Sequence, residues 1–206
     1  MTPRAALERG LGEMALALPA GADDRLLAYV ALLAKWNRTY NLTAIRDPAA
    51  MVTQHLLDSL SVLPHLPLAG DARLADAGSG AGLPGIPLAI ACPTWRVVLA
   101  ESSEKKAAFL RQAAIELRLA NVEVHQGRVE TWRPQPLFDL VIARAFAALE
   151  DFIAACRHLI GASGALAAMK GAEREDLRAG CAVIPLRVPL LDAQRHLVLC
   201  PASSLS

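Results

Sequence analysis

The segment Asp76-Ala77-Gly78-Ser79-Gly80-Ala81-Gly82-Leu83-Pro84-Gly85 packs four glycines into ten residues. It follows a short apolar run, Leu74 to Ala77, and precedes an apolar segment of helical length, so the spacing predicts a strand, a tight glycine turn and a helix. Glycines at alternate positions let a backbone turn sharply and approach a ligand with no Cβ in the way. Working outward, Val97 to Ala100, Val122 to His125, Leu140 to Ala143 and Leu166 to Met169 repeat the apolar run, with helical stretches between them. That alternation is the pattern of an α/β doubly wound domain, a parallel sheet with helices on both faces, whose ligands bind at the carboxyl ends of the strands. The last run, Arg195 to Cys200, follows Val183 to Leu191 across a link containing Asp192, which predicts a terminal hairpin and an antiparallel strand.

Before Asp71 the rhythm is helical, so residues 1–70 read as a helical N-terminal extension packed on a core formed by residues 71–206, the whole one compact unit. Asp23 and Asp24 offer a cap for a helix carrying Leu26, Val30, Leu33 and Asn37 on one side. Asp47-Pro48 begins another, with Met51, Leu56, Leu60 and Leu63 aligned and Pro64 as its stop. Met14 to Ala20 is too short, and too closely preceded by Glu8 and Glu13, to be an export signal, and reads as a short helix or connection.

The chain has 206 residues, of which 54% are hydrophobic, enough for one sizeable core and hardly for two. Lys and Arg total 21 against 20 Asp and Glu, evenly spread, which excludes a basic arm or an acidic tail and leaves a nucleic-acid partner neither favoured nor excluded by bulk charge. No apolar run is long enough for a membrane span. Cys92, Cys156, Cys181 and Cys200 form no C-x-x-C pair and read as reduced cytosolic thiols, with neither a metal site nor a disulfide framework expected.

Two acids sharpen the glycine turn. Asp76 precedes the first glycine, and Glu101 ends the next strand about 20 residues beyond Gly80, a spacing suited to a carboxylate that accepts hydrogen bonds from ribose hydroxyls. Nicotinamide dinucleotides and S-adenosylmethionine both carry that ribose. A dinucleotide fingerprint requires glycine where Leu83 stands, and Asp76 would set a negative charge near the pyrophosphate; an acid there suits the amine or sulfonium end of S-adenosylmethionine, which this reading favours. The plainer alternative is that Asp76 caps the loop and Glu101 is solvated.

The same segments carry a family resemblance. Asp76-x-Gly78-x-Gly80-x-Gly82 resembles the first motif of class I S-adenosylmethionine-dependent, Rossmann-like methyltransferases. GLPGIPL from Gly82 to Leu88 is more specific. With KWNRTYNLTAIRD from Lys35 to Asp47, HLLDSL from His55 to Leu60, GRVE from Gly127 to Glu130, ARAFA from 143 to 147, MKG from Met169 to Gly171 and RHLV from Arg195 to Val198, the chain is similar to the bacterial 16S ribosomal RNA guanine-N7 methyltransferases of the methyltransferase G family, also called glucose-inhibited division protein B. The resemblance spans Leu26 to Leu199.

It implies a donor held against Gly78 and Leu83 in the loop, against Val129 and Glu130 after the third strand, and near Arg144 after the fourth; the reading of the loop itself adds Asp76, Gly80, Gly82 and Glu101 as expected donor contacts. Ala77, Ser79 and Ala81 stand where relatives often carry valine, threonine and proline, and Glu101 replaces a frequent aspartate, one methylene shorter. Plainer readings stand beside these: Glu130 solvated, Arg144 in a surface salt bridge, His55 structural, and Lys105, Lys106, Arg111 and Arg118 a solvated helix face.

The implied chemistry asks little of acids and bases. N7 of neutral guanine has a free lone pair, so no proton leaves before methyl transfer, no histidine base is expected, and catalysis is alignment. Arg144 is the expected catalytic, positioning residue. A protein donor bonded to N7 would block the reacting pair, so recognition should use O6, the far edge, stacking and phosphates. Tyr40, Asn41, Phe146, Lys170, Arg195 and His196, with Arg144, are the candidates for RNA contact. The implied partner is 16S ribosomal RNA in the small subunit or an assembly intermediate, met by a cytoplasmic monomer with no metal and no membrane. The same fold acting on a small molecule or protein, and a non-catalytic RNA-binding assembly factor, are the alternatives.

Overall fold

The computed structural model describes residues 1–144, 146, 148–171 and 178–205. Seven strands form one sheet in the order β3-β2-β1-β4-β5-β7-β6. They are β1 (Arg73–Ala77), β2 (Arg96–Glu101), β3 (Val122–Gln126), β4 (Phe138–Ala143), β5 (Ile160–Lys170), β6 (Ala182–Leu186) and β7 (Arg195–Pro201). The first five are parallel; β7 runs antiparallel to β5, and β6 antiparallel to β7. Strand order reverses between β1 and β4, which opens a crevice at their carboxyl ends, the place where ligands enter such sheets.

Alternation along the strands builds two core layers. Leu74, Val97, Leu99, Leu140 and Ile142 face the helices α2 (Ala22–Tyr40), α5 (Gly85–Ala91) and α6 (Glu104–Glu116) and share one continuous cluster with Leu7, Leu26, Tyr29, Met51 and Leu56 from the first 70 residues. Ala75, Ala77, Val98, Val141 and Leu166 face the other way, and their small or branched side chains leave room for Leu149, Phe152 and Ile153 of α7 (Leu149–Cys156).

Several local expectations are corrected. The cap of α2 is Gly21 in the left-handed region, with Asp23 and Asp24 in the first turn, where they still complement the helix dipole. A further helix, α1 (Pro3–Glu13), precedes it, and Met14 to Ala20 is a connection. Asp47 accepts a bond from the N–H of Ala50 and opens a helical run as expected, but that run is α3 (Pro48–Met51), a π-helical turn (Val52–Leu57) and α4 (Asp58–Leu60). Pro64 does not stop it, since Leu63–His65 continues as a 3-10 turn with proline at its start. Reduced thiols were expected at all four cysteines; Cys181 and Cys200 are instead joined in a disulfide. The reason is register: pairing Ala182 with Leu199 sets Cys181 directly across from Cys200, a neighbourhood no short spacing rule reveals.

Candidate active site

The glycine loop leaves β1 at the crevice and is tied down by its own amides. Gly78 and Ser79 donate their N–H groups to the Ala100 carbonyl (2.9 and 3.0 Å), Gly82 and Leu83 to that of Ser79 (2.8 and 3.0 Å). Gly80 N–H donates to Glu101 Oε2 at 2.8 Å. With these amides engaged inside the protein, the loop lacks the nest of outward N–H groups that would cradle a pyrophosphate. Its glycines divide into two kinds. A Cβ on Gly78 (φ +71°) would meet nothing within 4 Å, and one on Gly80 (φ +59°) only a backbone oxygen at 3.8 Å, whereas one on Gly82 would strike Ile86 at 2.4 Å and one on Gly85 would strike Leu99 at 2.3 Å. Gly78 and Gly80 therefore border open space, and Gly82 and Gly85 serve close packing.

Asp76 is fully buried beneath this loop. Its Oδ2 accepts from the Ser79 hydroxyl and from the Gly85 N–H (2.9 Å), while Oδ1 has no partner among the described residues. Burial pushes its pKa up to about 6, against the opposing effect of those two bonds and of Arg144. Direct contact between Asp76 and a donor amine, expected above, does not match a carboxylate turned under the loop and out of reach of solvent. Tyr29 from α2 adds a second anchor, its hydroxyl donating to the Ala81 carbonyl at 2.6 Å.

Glu101 is not solvated. Its Oε1 accepts from the Ser103 N–H and its Oε2 from that of Gly80, both at 2.8 Å, and each oxygen keeps a further lone pair. Beyond β3, the 3-10 turn Val129–Thr131 buries Val129 and leaves Glu130 exposed.

A cleft of about 330 Å³ is lined by Ile45, Gln54, His55, Asp58, Arg144, Met169, Lys170, Gly171 and Arg195. Asp58 is its anchor. Oδ2 accepts from Arg144 Nη1 at 3.3 Å and Oδ1 from Arg195 Nε at 3.2 Å, and Arg144 Nη1 also reaches the Gln54 carbonyl at 3.2 Å. Burial raises the pKa of Asp58, and the two guanidiniums oppose it. The π-helical turn brings His55 and Asp58 into the same buried region, in keeping with the frequency of such turns at functional sites. His55 Nδ1 faces the Gln54 carbonyl at 3.0 Å, so Nδ1 carries the proton and Nε2 accepts from the Thr43 hydroxyl at 2.9 Å. Burial, with Arg144, lowers its pKa to about 4. The neutral ring thus joins Thr43 to the Gln54 backbone at the cleft wall.

A family model described as rRNA small subunit methyltransferase G (GidB) matches residues 23–188. The chain belongs to this family. It is 51% identical over 201 residues to the ribosomal RNA small subunit methyltransferase G of Methylobacillus flagellatus, covering 95% of this chain and 97% of the relative. It is likewise 51% identical to the Burkholderia thailandensis protein of the same name, covering 96% and 90%. An S-adenosylmethionine-dependent methyltransferase structure from Aquifex aeolicus superposes with a TM-score of 0.57 at 18% identity, over 82% of this chain and 98% of that one. The expected class I methyltransferase fold is borne out.

Within this methyltransferase G framework the predicted residues fall into three groups. Gly78, Gly80, Leu83 and Glu101 gather at the glycine loop, although Leu83 is buried with its N–H engaged. Arg144, Lys170 and Arg195 line the cleft; His196 pairs with Lys170 across β5 and β7, and the Phe146 ring packs on Phe152 at 5.2 Å, its carbonyl accepting from Lys170 Nζ at 3.0 Å. Tyr40 and Asn41 lie at the end of α2, where Tyr40 stacks on Trp36 and Asn41 takes the left-handed cap position. Asp58, Gln54, Tyr29 and Thr43 were not anticipated. One signal could have found Asp58: a carboxylate set among Leu56, Leu57 and Leu60, on the helical face that must be buried.

Proposed function

We propose that this chain transfers a methyl group from S-adenosylmethionine to N7 of one guanine in 16S ribosomal RNA, acting on the small subunit or an assembly intermediate. The observation that carries this reading is the combination of a loop whose Gly78 and Gly80 border open space beside Glu101 with a cleft in which, among the described residues, three cations face one carboxylate and Arg144 also acts electrostatically on Asp76 beneath the loop. The residues present fit the donor. Open Cβ positions at Gly78 and Gly80 admit a ligand against the backbone, Glu101 offers its remaining lone pairs to ribose hydroxyls, and Val129 and Glu130 lie toward the adenine end. When bound, S-adenosylmethionine supplies an electrophilic methyl on a sulfonium.

What the chain itself contributes is alignment. The lone pair of guanine N7 needs no base, and the titratable groups described at the site are otherwise engaged: His55 Nε2 accepts from Thr43, Asp58 holds two guanidiniums, and Asp76 is buried beneath the loop. Arg144, braced by Gln54 and Asp58, orients the base through O6 or a neighbouring phosphate, and such orientation can be worth several kcal/mol. Phe146 offers an aromatic face, while Lys170, Arg195 and His196, with Tyr40 and Asn41 farther out, take the surrounding RNA. We read the protein as a cytoplasmic monomer, the state in which a single copy meets ribosomal RNA.

The test is transfer of labelled methyl to purified small subunits lacking the modification, with the product located by strand scission at N7-methylguanine. One labelled guanine in 16S RNA is the expected result. Label on free nucleosides or on protein, or RNA binding with no transfer, would overturn it.

A further inference from the structure

We propose that Asp58 is a positioning residue that holds Arg144 and Arg195 together as a two-guanidinium receptor for one backbone phosphate of the RNA substrate. The proposal rests on the RNA reading above. Asp58 comes from α4, while its two partners lie 86 and 137 residues away, at the end of β4 and the start of β7. No local structure would bring these three together; the carboxylate, whose side chain is 5% exposed, does so at the cleft wall.

The receptor follows from counting donors. A guanidinium carries several N–H groups in a planar fork and no acceptor. Arg144 uses Nη1 on Asp58 and Gln54, and Arg195 uses Nε on Asp58 and Nη1 on the Gln194 carbonyl. Among the described residues, Arg144 Nε and Nη2 and Arg195 Nη2 meet no protein acceptor. Both side chains stay partly open, 26% and 27% exposed, on a cleft to which Lys170 adds a third cation. One carboxylate thus fixes two forks and, among the described residues of the cleft, leaves the two guanidiniums in excess of its single charge.

That arrangement fits a tetrahedral anion of single charge. A phosphodiester offers oxygens that two forks can share in charge-assisted, bidentate bonds. A guanine edge alone would occupy one guanidinium and leave the second unused. Fixing the pair beforehand lowers the ordering cost when the RNA arrives.

Asp58→Asn separates positioning from charge, because the two predict opposite signs. Removing a negative charge from the cleft tightens RNA binding and steepens its salt dependence if charge alone matters. If Asp58 positions the forks, binding weakens and the salt slope becomes shallower. Binding of unmodified small subunits to donor-free protein, measured over a range of salt, reads this without any methyl transfer. We expect affinity to fall about tenfold and the slope of log K against log salt to lose about 0.7, the share of one phosphate on a single strand. Affinity for S-adenosylmethionine, measured by calorimetry, should stay within about twofold. Arg195→Lys keeps the charge and leaves Asp58 paired with Arg144, yet loses the fork, and should fall by a similar factor; it decides the matter alone if Asp58→Asn does not fold.

Small-subunit binding that is unchanged or tighter in Asp58→Asn overturns the proposal. So does a tenfold loss of donor affinity with RNA binding intact, which would assign the pair to the donor. If the parent protein binds small subunits but transfers no methyl, the enzymatic reading fails while the receptor stands or falls on its own binding data.

Discussion

The two halves of the site are built in opposite ways. The glycine loop is local: ten consecutive residues, 76–85, plus one carboxylate from the neighbouring strand, locked by short backbone bonds from Gly78, Ser79, Gly80, Gly82 and Leu83. The cleft is assembled: one carboxylate from the N-terminal helices, one arginine from β4 and one from the terminal hairpin. A local loop holds its shape through strand pairing and glycine geometry, so it suits a ligand that is always the same. An assembled cleft holds its shape only when distant elements are packed, and its side chains keep unused donors for a large substrate.

The largest effect is expected at Arg144, which lines the cleft and acts electrostatically on Asp76 beneath the loop. Arg144→Ala should cut methyl transfer to small subunits about a hundredfold, since misplacing reactants by small distances costs on that order. Asp58 would keep Arg195, so the buried carboxylate is not left unpaired, and the melting temperature should change by only a few degrees. Thermal unfolding beside single-turnover transfer checks this. Transfer at the parental rate, or loss explained by unfolding, removes Arg144 from the site. Arg144→Lys refines the answer, because lysine keeps charge without the fork.

A pair of glycine substitutions sharpens the local half. Gly80→Ala adds a methyl to open space at the cost of about 1 kcal/mol for a positive φ, so the fold should survive while S-adenosylmethionine binding weakens about tenfold. Gly82→Ala carries the same backbone penalty but drives its methyl into Ile86, and should lose an additional 1–3 kcal/mol or so of stability. Calorimetry and urea unfolding on both variants decide it. Equal stabilities would mean that the loop faces its ligand with both glycines.

How much of this was legible in the sequence follows the same division. The strands, the glycine turn and Glu101 are encoded at short range, by alternating apolar runs and fixed spacing, and the parallel order with a terminal hairpin follows from them. The direction in which Asp76 turns is not encoded there: Ser79 and the Gly85 N–H draw it under the loop, and the spacing alone fits an outward carboxylate equally well. The Asp58 cluster and the Cys181–Cys200 bond depend on tertiary register, which a single sequence does not display. The π-helical turn was hidden for a related reason. Helical spacing of Leu56, Leu60 and Leu63 predicts a plain helix, and the wider turn that also buries His55 and Asp58 is imposed by packing.

The smallest effect expected is also the most symmetrical, because Asp76 in the loop and His55 in the cleft are buried with pKa values shifted in opposite directions. Asp76 in the loop has its pKa raised from 3.8 to about 6. Its native state therefore holds a proton that the unfolded chain has lost, so its contribution to stability is full below pH 3.8 and disappears as pH rises through 6. His55 in the cleft has its pKa lowered from 6.5 to about 4. The unfolded chain takes up its proton first, so its contribution is full above pH 6.5 and disappears as pH falls through 4. Each shift corresponds to about 2–3 kcal/mol, and over pH 4 to 6 they offset one another. Single variants should uncover them. Relative to the parent, His55→Gln should gain stability by about 2 kcal/mol as pH falls from 7 to 4, and Asp76→Asn should lose a similar amount over the same range. Urea unfolding of both variants and the parent at pH 7, 5.5 and 4 measures the differences, in which the remaining carboxylates cancel. Slopes of the same sign, or no slopes, would show that loop and cleft do not bury their charges in the way their geometry requires.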